Sequence, residues 1–82
     1  MDARLARRRE YGVLGALIRD AREELGLTQR ALARKAGRTE TSIHKIEAGI
    51  QRVDMVELLD IAHALRLELK DLAERFELAA KG

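Results

Sequence analysis

Side chains that could carry out chemistry are sparse in this sequence of 82 residues. Its two histidines, His44 and His63, are isolated, and no acid, base and nucleophile recur together at one place. Catalysis requires such a set within mutual reach. There is no cysteine for a thiolate metal site or a disulfide, and there is no glycine-rich phosphate loop. The sequence therefore predicts a protein that is not an enzyme and that has no cofactor or metal.

A better-ordered set of polar side chains follows Gly37. Thr39 can cap a short helix, and Glu40, Thr41 and Lys45 then share one face of it. Positions 40 and 41 open the helix, and positions 41 and 45 are one turn apart. A carboxylate only accepts hydrogen bonds, whereas an ammonium group only donates them. The direction in which this face points depends on the elements that hold the helix.

Those elements are predicted to be helices, without strands. Proline is absent, Ala, Leu, Arg and Glu dominate, and only Tyr11 and Phe76 are aromatic. In the first helix, the apolar residues with the spacing of one buried face are Leu14, Leu17, Ile18, Ala21 and Leu25. The glycines expected to end the first three helices are Gly26, Gly37 and Gly49.

The later helices follow the same logic. The apolar residues expected to be buried in the second and third helices are Leu32, Ala33, Ala36, Ile43 and Ile46. In the fourth and fifth they are Val56, Leu59 and Ala62, with Ile61 and Leu65 as further candidates, and then Leu69, Leu72 and Phe76. Thr28 is expected to cap the second helix, and Asp54 the fourth in a capping box with Glu57. Arg66 occupies the break before the fifth helix, where a left-handed backbone would suit glycine better.

The chain is long enough for one domain, predicted at residues 11–78 between an arm at 1–10 and a tail at 79–82. The net charge of +2 is unevenly distributed, since residues 1–52 hold 12 Lys and Arg against 7 Asp and Glu, and residues 53–82 hold 4 against 7. The basic end is suited to facing phosphates. A solvated surface with chance asymmetry would look the same.

The arm is strongly basic, with Arg4, Arg7, Arg8 and Arg9. It is either a frayed helix start or an extra phosphate or minor-groove contact. The apolar run that follows is too short for a signal peptide, and no stretch approaches the roughly 18 to 20 apolar residues that span a bilayer. We therefore expect a cytoplasmic protein without membrane contact.

Residues 29–49 are predicted to form two short helices that cross at close range. Ala33 is small where the next helix would pass over it, Gly37 permits a tight turn, and Ile43 and Ile46 anchor the second helix. With Gly26-Leu27-Thr28-Gln29, this pattern resembles the lambdoid phage repressor and Cro family of helix-turn-helix regulators. The resemblance runs from about residue 14 to 76. It implies an all-α, compact five-helix DNA-binding domain of the lambda-repressor type, of bacterial or phage origin.

The resemblance also implies a function and a set of site residues. Members are sequence-specific regulators, here a repressor or a small controller protein, that read the major groove of a palindromic operator as a homodimer. The positions that read bases in the family fall on Thr39, Glu40, Thr41 and Lys45. Those that contact phosphates fall on Gln29 and Arg52. An ion pair is implied between Arg22 and Glu47, from which Arg22 could also reach a phosphate.

Two residues depart from the family's pattern. Arg38 stands where the turn residue is usually small or apolar, and it is either solvated or a further phosphate contact. Glu40 stands where an amide is common. It is either a first-turn acid favoured by the helix dipole or an acceptor for the amino group of cytosine or adenine.

Partners are the remaining question. A palindromic site requires a two-fold interface, for which the candidates are Leu69, Phe76 and Leu78, although core packing is the other interpretation of these residues. The same fold also occurs in antitoxins and other protein-interaction modules, so a protein partner is the alternative to DNA. The combination of Gln29, Thr41, Lys45 and Arg52 favours DNA, because a pure interaction module would not need it.

Overall fold

Five α-helices account for most of the chain in a computed structural model that describes residues 8–82. In chain order they are α1 (Arg8–Glu24), α2 (Gln29–Ala36), α3 (Glu40–Glu47), α4 (Met55–Ala64) and α5 (Leu69–Lys81). The described residues contain no strand, so the predicted all-α class with five helices is confirmed. Arg4 and Arg7 of the predicted basic arm lie outside the described residues.

Three helices begin directly after the residues that were predicted from the sequence to cap them. The hydroxyl oxygen of Thr28 accepts from the amide of Ala31 at 3.0 Å, and that of Thr39 accepts from Ser42 at 3.1 Å. Asp54 and Glu57 form the predicted capping box, in which each side chain accepts from the other's backbone amide, at 2.8 and 3.2 Å. Each cap satisfies an amide that has no partner within its own helix.

Short left-handed turns join the helices. Gly37 follows α2 with a φ of +68°, and Gly49 follows α3 with a φ of +75°, as predicted for residues that end helices. Arg66 has a φ of +61° in the turn before α5 and is the one non-glycine residue with positive φ among residues 8–82. The left-handed backbone considered at this break is therefore present, on a residue other than glycine.

The core lies where all five helices converge. The largest fully buried side chains, with at least one from each helix, are Ile18, Leu32, Ile43, Ile46, Ile61 and Leu72. Two predicted core residues of α4 are wrong, because Val56 is 65% exposed and Leu59 is 37% exposed. α4 carries apolar residues on two of its faces, and the face with Ile61 and Ala62 is the buried one. Leu25 is also exposed, since α1 ends at Glu24 and the helical period does not extend past it.

α1 and α3 cross with their backbones in contact. Gly15 is buried, and a Cβ placed there would meet the carbonyl oxygen of Ile46 and lie 2.6 Å from that of Glu47. A Cβ on Gly49 would lie 2.8 Å from the Cα of Gly12. Glycine at these positions therefore lets the end of α3 rest directly on α1.

A contact near the start of α1 ties this helix to the end of α5. α1 spans Arg8–Glu24, and α5 spans Leu69–Lys81. The guanidinium of Arg9 joins the two ends by donating to the carbonyl oxygens of Ala80 at 3.0 Å and Gly82 at 2.9 Å. Carbonyls at a helix end lack partners within the helix, so these contacts stabilise the last turn of α5. Among residues 8–82, no helix has the length and apolar character needed to cross a membrane.

Candidate nucleic-acid interface

α2 and α3 are two short helices joined by a turn of three residues, Gly37, Arg38 and Thr39. The amide of Arg38 donates to the carbonyl of Ala33 at 2.8 Å and closes the end of α2. Ala33 is 3% exposed. From α3, Ile43 and Ile46 point into the core and are fully buried or nearly so. α3 is therefore anchored from behind, and its opposite side is left to solvent.

The outer side of α3 carries a continuous polar stripe. Glu40, Thr41, His44 and Lys45 are all exposed and are spaced by single helical turns; we call these four residues the recognition face. Three of the four predicted base-reading residues lie on it. The fourth, Thr39, is exposed just before it, and its hydroxyl oxygen already accepts from the amide of Ser42.

His44 was missed as a member of this face. From the sequence it was considered only as an isolated histidine, although it lies four residues after Glu40 and three after Thr41. Residues at these spacings are neighbours on a helix surface. The spacing that grouped Thr41 with Lys45 therefore also predicts that His44 lies on this face.

A nearly buried ion pair holds α1 against the end of α3. The Arg22 guanidinium donates to the Glu47 carboxylate through Nε at 2.7 Å and through a terminal nitrogen at 3.0 Å, and it also donates to the carbonyl of Leu27 at 2.8 Å. The two side chains are 11% and 4% exposed. The hydrogen bond with Glu47 raises the pKa of Arg22 above its ordinary value, although burial acts in the opposite direction. Removing one partner of such a pair costs roughly 3–5 kcal/mol when burial is complete.

Gln29 joins the same carboxylate. Its side-chain nitrogen donates to Glu47 at 3.0 Å, and Gln29 is half-buried as the first residue of α2. Glu47 thus accepts from side chains on both α1 and α2. The resemblance implied a phosphate contact for Gln29 and an ion pair between Glu47 and Arg22, but no bond between Gln29 and Glu47.

Arg38 is held by an acid that the sequence analysis did not consider. Its guanidinium donates to the carboxylate of Asp60 on α4 at 2.7 Å, and its side chain is 27% exposed. Its Nε is buried and has no hydrogen-bond partner among the described residues. The turn between α2 and α3 is therefore tied to α4, and neither of the two expected roles of Arg38 included this contact.

The loop after α3 also contacts the recognition helix. The Gln51 side chain donates to the hydroxyl of Ser42 at 2.9 Å, which ties the loop to the side of α3. Arg52 follows and is exposed. A basic side chain is thus presented beside α3, at the position that the resemblance assigned to a phosphate contact. Within residues 8–82, no group of three His, Asp or Glu side chains is placed to hold a metal ion.

A short helix anchored from behind, with a polar outer face and a tight turn to the helix before it, defines a helix-turn-helix DNA-binding domain. A helix-turn-helix domain model matches residues 13–76, so the chain belongs to this family and is a DNA-binding transcription regulator. No curated protein sequence matches the chain significantly.

Solved structures agree with this assignment. The restriction-modification controller protein C.AhdI from Aeromonas hydrophila is 31% identical, with a TM-score of 0.74, over 76% of this chain and 94% of that one. The clp gene regulator ClgR from Corynebacterium glutamicum is 26% identical, with a TM-score of 0.77, over 83% of this chain and 72% of that one. A second crystal structure of ClgR gives a TM-score of 0.76 at the same identity, over 88% of its chain. The predicted regulator family is therefore confirmed.

Proposed function

We propose that this protein is a repressor or controller that binds a two-fold symmetric operator as a homodimer, with α3 of each copy in the major groove. The observation that carries the proposal is the recognition face, which is wholly exposed while Ile43 and Ile46 on the same helix are buried. An α-helix fits the major groove, where each base pair presents a distinct pattern of donors and acceptors. Thr41, His44 and Lys45 supply hydroxyl, imidazole and ammonium groups for that pattern.

Phosphate contacts fix the register of the recognition face on the duplex. In our proposal, Gln29 at the start of α2 and Arg52 in the loop after α3 make two of them. Arg22 is 11% exposed and occupied by Glu47 and Leu27, so it acts mainly by holding α3 in place. Arg38 braces the turn through Asp60, and this bond uses only one of its terminal nitrogens.

The two-fold interface is proposed to lie on α4. Met55, Val56 and Leu59 are 70%, 65% and 37% exposed and share one face of the helix, which we call the α4 apolar surface. The α4 apolar surface begins at Met55, three residues after Arg52. A second copy packed against this surface would therefore bring the two DNA-contacting loops together. Among the interface candidates from the sequence, Leu78 is 64% exposed, whereas Leu69 and Phe76 are half-buried. A second copy is a suitable occupant because a short helix reads few base pairs and needs a symmetric partner for affinity.

Selection of bound DNA from a random pool tests this function. We expect a palindromic motif whose half-sites are centred roughly 34 Å apart, about one duplex turn. A motif without symmetry would refute the dimer on a palindromic operator. Recovery of no motif, with no retention of DNA even at low salt, would refute DNA recognition and favour the protein-interaction alternative.

A further inference from the structure

Glu47 sits where the two helices of the motif meet. It is the last residue of α3, its side chain is 4% exposed, and it accepts from Gln29, the first residue of α2, at 3.0 Å. The same carboxylate accepts twice from Arg22. A buried charge with three such bonds has a fixed orientation, so the groups that donate to it are also fixed.

The chemistry of the two groups decides how the Gln29 amide is turned. A carboxylate can only accept, whereas an amide has a nitrogen with two hydrogens and an oxygen that can only accept. Glu47 therefore selects the rotamer in which the nitrogen of Gln29, and not its oxygen, faces the protein. One amide hydrogen is used in this bond. The second remains available on a half-buried side chain at the start of α2.

We propose that Glu47 is a positioning residue for the DNA contact of Gln29, an inference that rests on the proposed phosphate role of Gln29. By holding the amide nitrogen, Glu47 keeps the second hydrogen available to a phosphate oxygen. Without Glu47, the amide can rotate by half a turn and direct its oxygen at the phosphate, which repels it. Since Glu47 belongs to α3, the backbone contact made from α2 is coupled to the position of the recognition face.

A double-mutant cycle on DNA affinity tests this coupling. The variants are Gln29→Ala, Glu47→Leu and the double variant, measured by fluorescence anisotropy on a random-sequence duplex at low salt. Leucine removes the acceptor, whereas glutamine would keep an oxygen that accepts from Gln29. We expect Gln29→Ala to weaken binding about tenfold in the natural background, as for a hydrogen bond to a charged group, and less than twofold in the Glu47→Leu background. Arg22→Lys is the control background, because it disturbs the ion pair but leaves the bond between Gln29 and Glu47, and there the tenfold effect should persist.

The outcomes of the cycle are distinct. Equal effects of Gln29→Ala in all three backgrounds would overturn the positioning role while leaving the phosphate contact intact. No effect of Gln29→Ala in the natural background would overturn both the phosphate contact and the positioning role. Failure of the natural chain to bind any DNA would overturn the proposed function and this inference with it.

A second measurement needs no change at Glu47, in case the Glu47→Leu variant does not fold. The sequence has two glutamines, Gln29 and Gln51, and no asparagine, so the side-chain amide region of a nitrogen-15 correlation spectrum holds two pairs of signals. Gln29→Ala assigns them. On addition of DNA, we expect one Gln29 hydrogen to keep its shift and slow exchange while the other moves. Movement and rapid exchange of both hydrogens would show that the amide leaves Glu47, which would refute the inference.

Discussion

Replacing Gly15 by alanine should displace the recognition helix. A Cβ at this position meets the backbone carbonyls of Ile46 and Glu47, the latter at 2.6 Å, and backbone cannot swing aside as a flexible side chain can. Gly12 on the same helix offers a matched control, because a Cβ there has no heavy atom within 4 Å. Both changes replace a glycine inside α1 with alanine, which favours the helix by about 1 kcal/mol. They differ in whether α3 must move.

The expected magnitudes follow from these two contributions. Gly12→Ala should stabilise the protein by up to about 1 kcal/mol. Gly15→Ala has the same gain but also an overpacking cost of about 1–3 kcal/mol, so its free energy of unfolding should lie below that of Gly12→Ala by that amount. For a domain of this size, the difference corresponds to roughly 5–20 °C in Tm.

Two assays distinguish displacement of α3 from a general loss of stability. Thermal unfolding followed by far-ultraviolet circular dichroism gives the Tm of both variants. DNA affinity is then measured at a temperature at which both are fully folded, and we expect it to fall for Gly15→Ala and to be unchanged for Gly12→Ala. Equal Tm values, or full DNA affinity in Gly15→Ala, would refute the inferred contact between α1 and the end of α3.

Three further changes address the site. Arg52→Ala should weaken binding to all sequences about equally and lower the salt slope of log K by about one, whereas altered base preference at one position would contradict a phosphate role. Glu40→Gln should shift base preference toward adenine at one half-site position, and Glu40→Ala should reduce the preference there by about 1–3 kcal/mol. Unchanged discrimination among all four bases in both variants would leave only the helix-dipole role. Val56→Glu should give a monomer in sedimentation equilibrium, whereas Leu25→Glu, which also places a charge on an exposed apolar residue, should remain a dimer. Dimers of both variants would exclude the α4 apolar surface as the interface.

Local features of the fold were predictable from the sequence. Caps and left-handed turns depend on a few neighbouring residues, so Thr28, Thr39, Asp54 and Gly49 were each identified from residue type and spacing. The same holds for the recognition face, because residues three and four apart must lie together on a helix.

Contacts between helices were less predictable. α4 has apolar residues on two faces, and a period of 3.6 residues does not say which face meets the core, so Val56 and Leu59 were assigned incorrectly. The bonds from Gln29 to Glu47 and from Arg38 to Asp60 join residues 18 and 22 positions apart, and they depend on how the helices cross. Gly12 and Gly15 did carry a signal that was not used. A glycine inside a helix destabilises the helix relative to alanine. Two of them in α1 therefore indicate that another part of the backbone approaches closely.

The central claim, that the outer side of α3 reads DNA, is tested most directly by comparing two lysines. Lys45 lies on the recognition face and Lys70 on α5, both are exposed, and Lys→Ala changes the net charge equally at each. On the sequence recovered by selection, we expect Lys45→Ala to lower affinity about tenfold, as for the loss of a specific groove contact, and Lys70→Ala to leave it within about twofold. Equal effects of the two changes would contradict the assignment of α3 as the recognition helix.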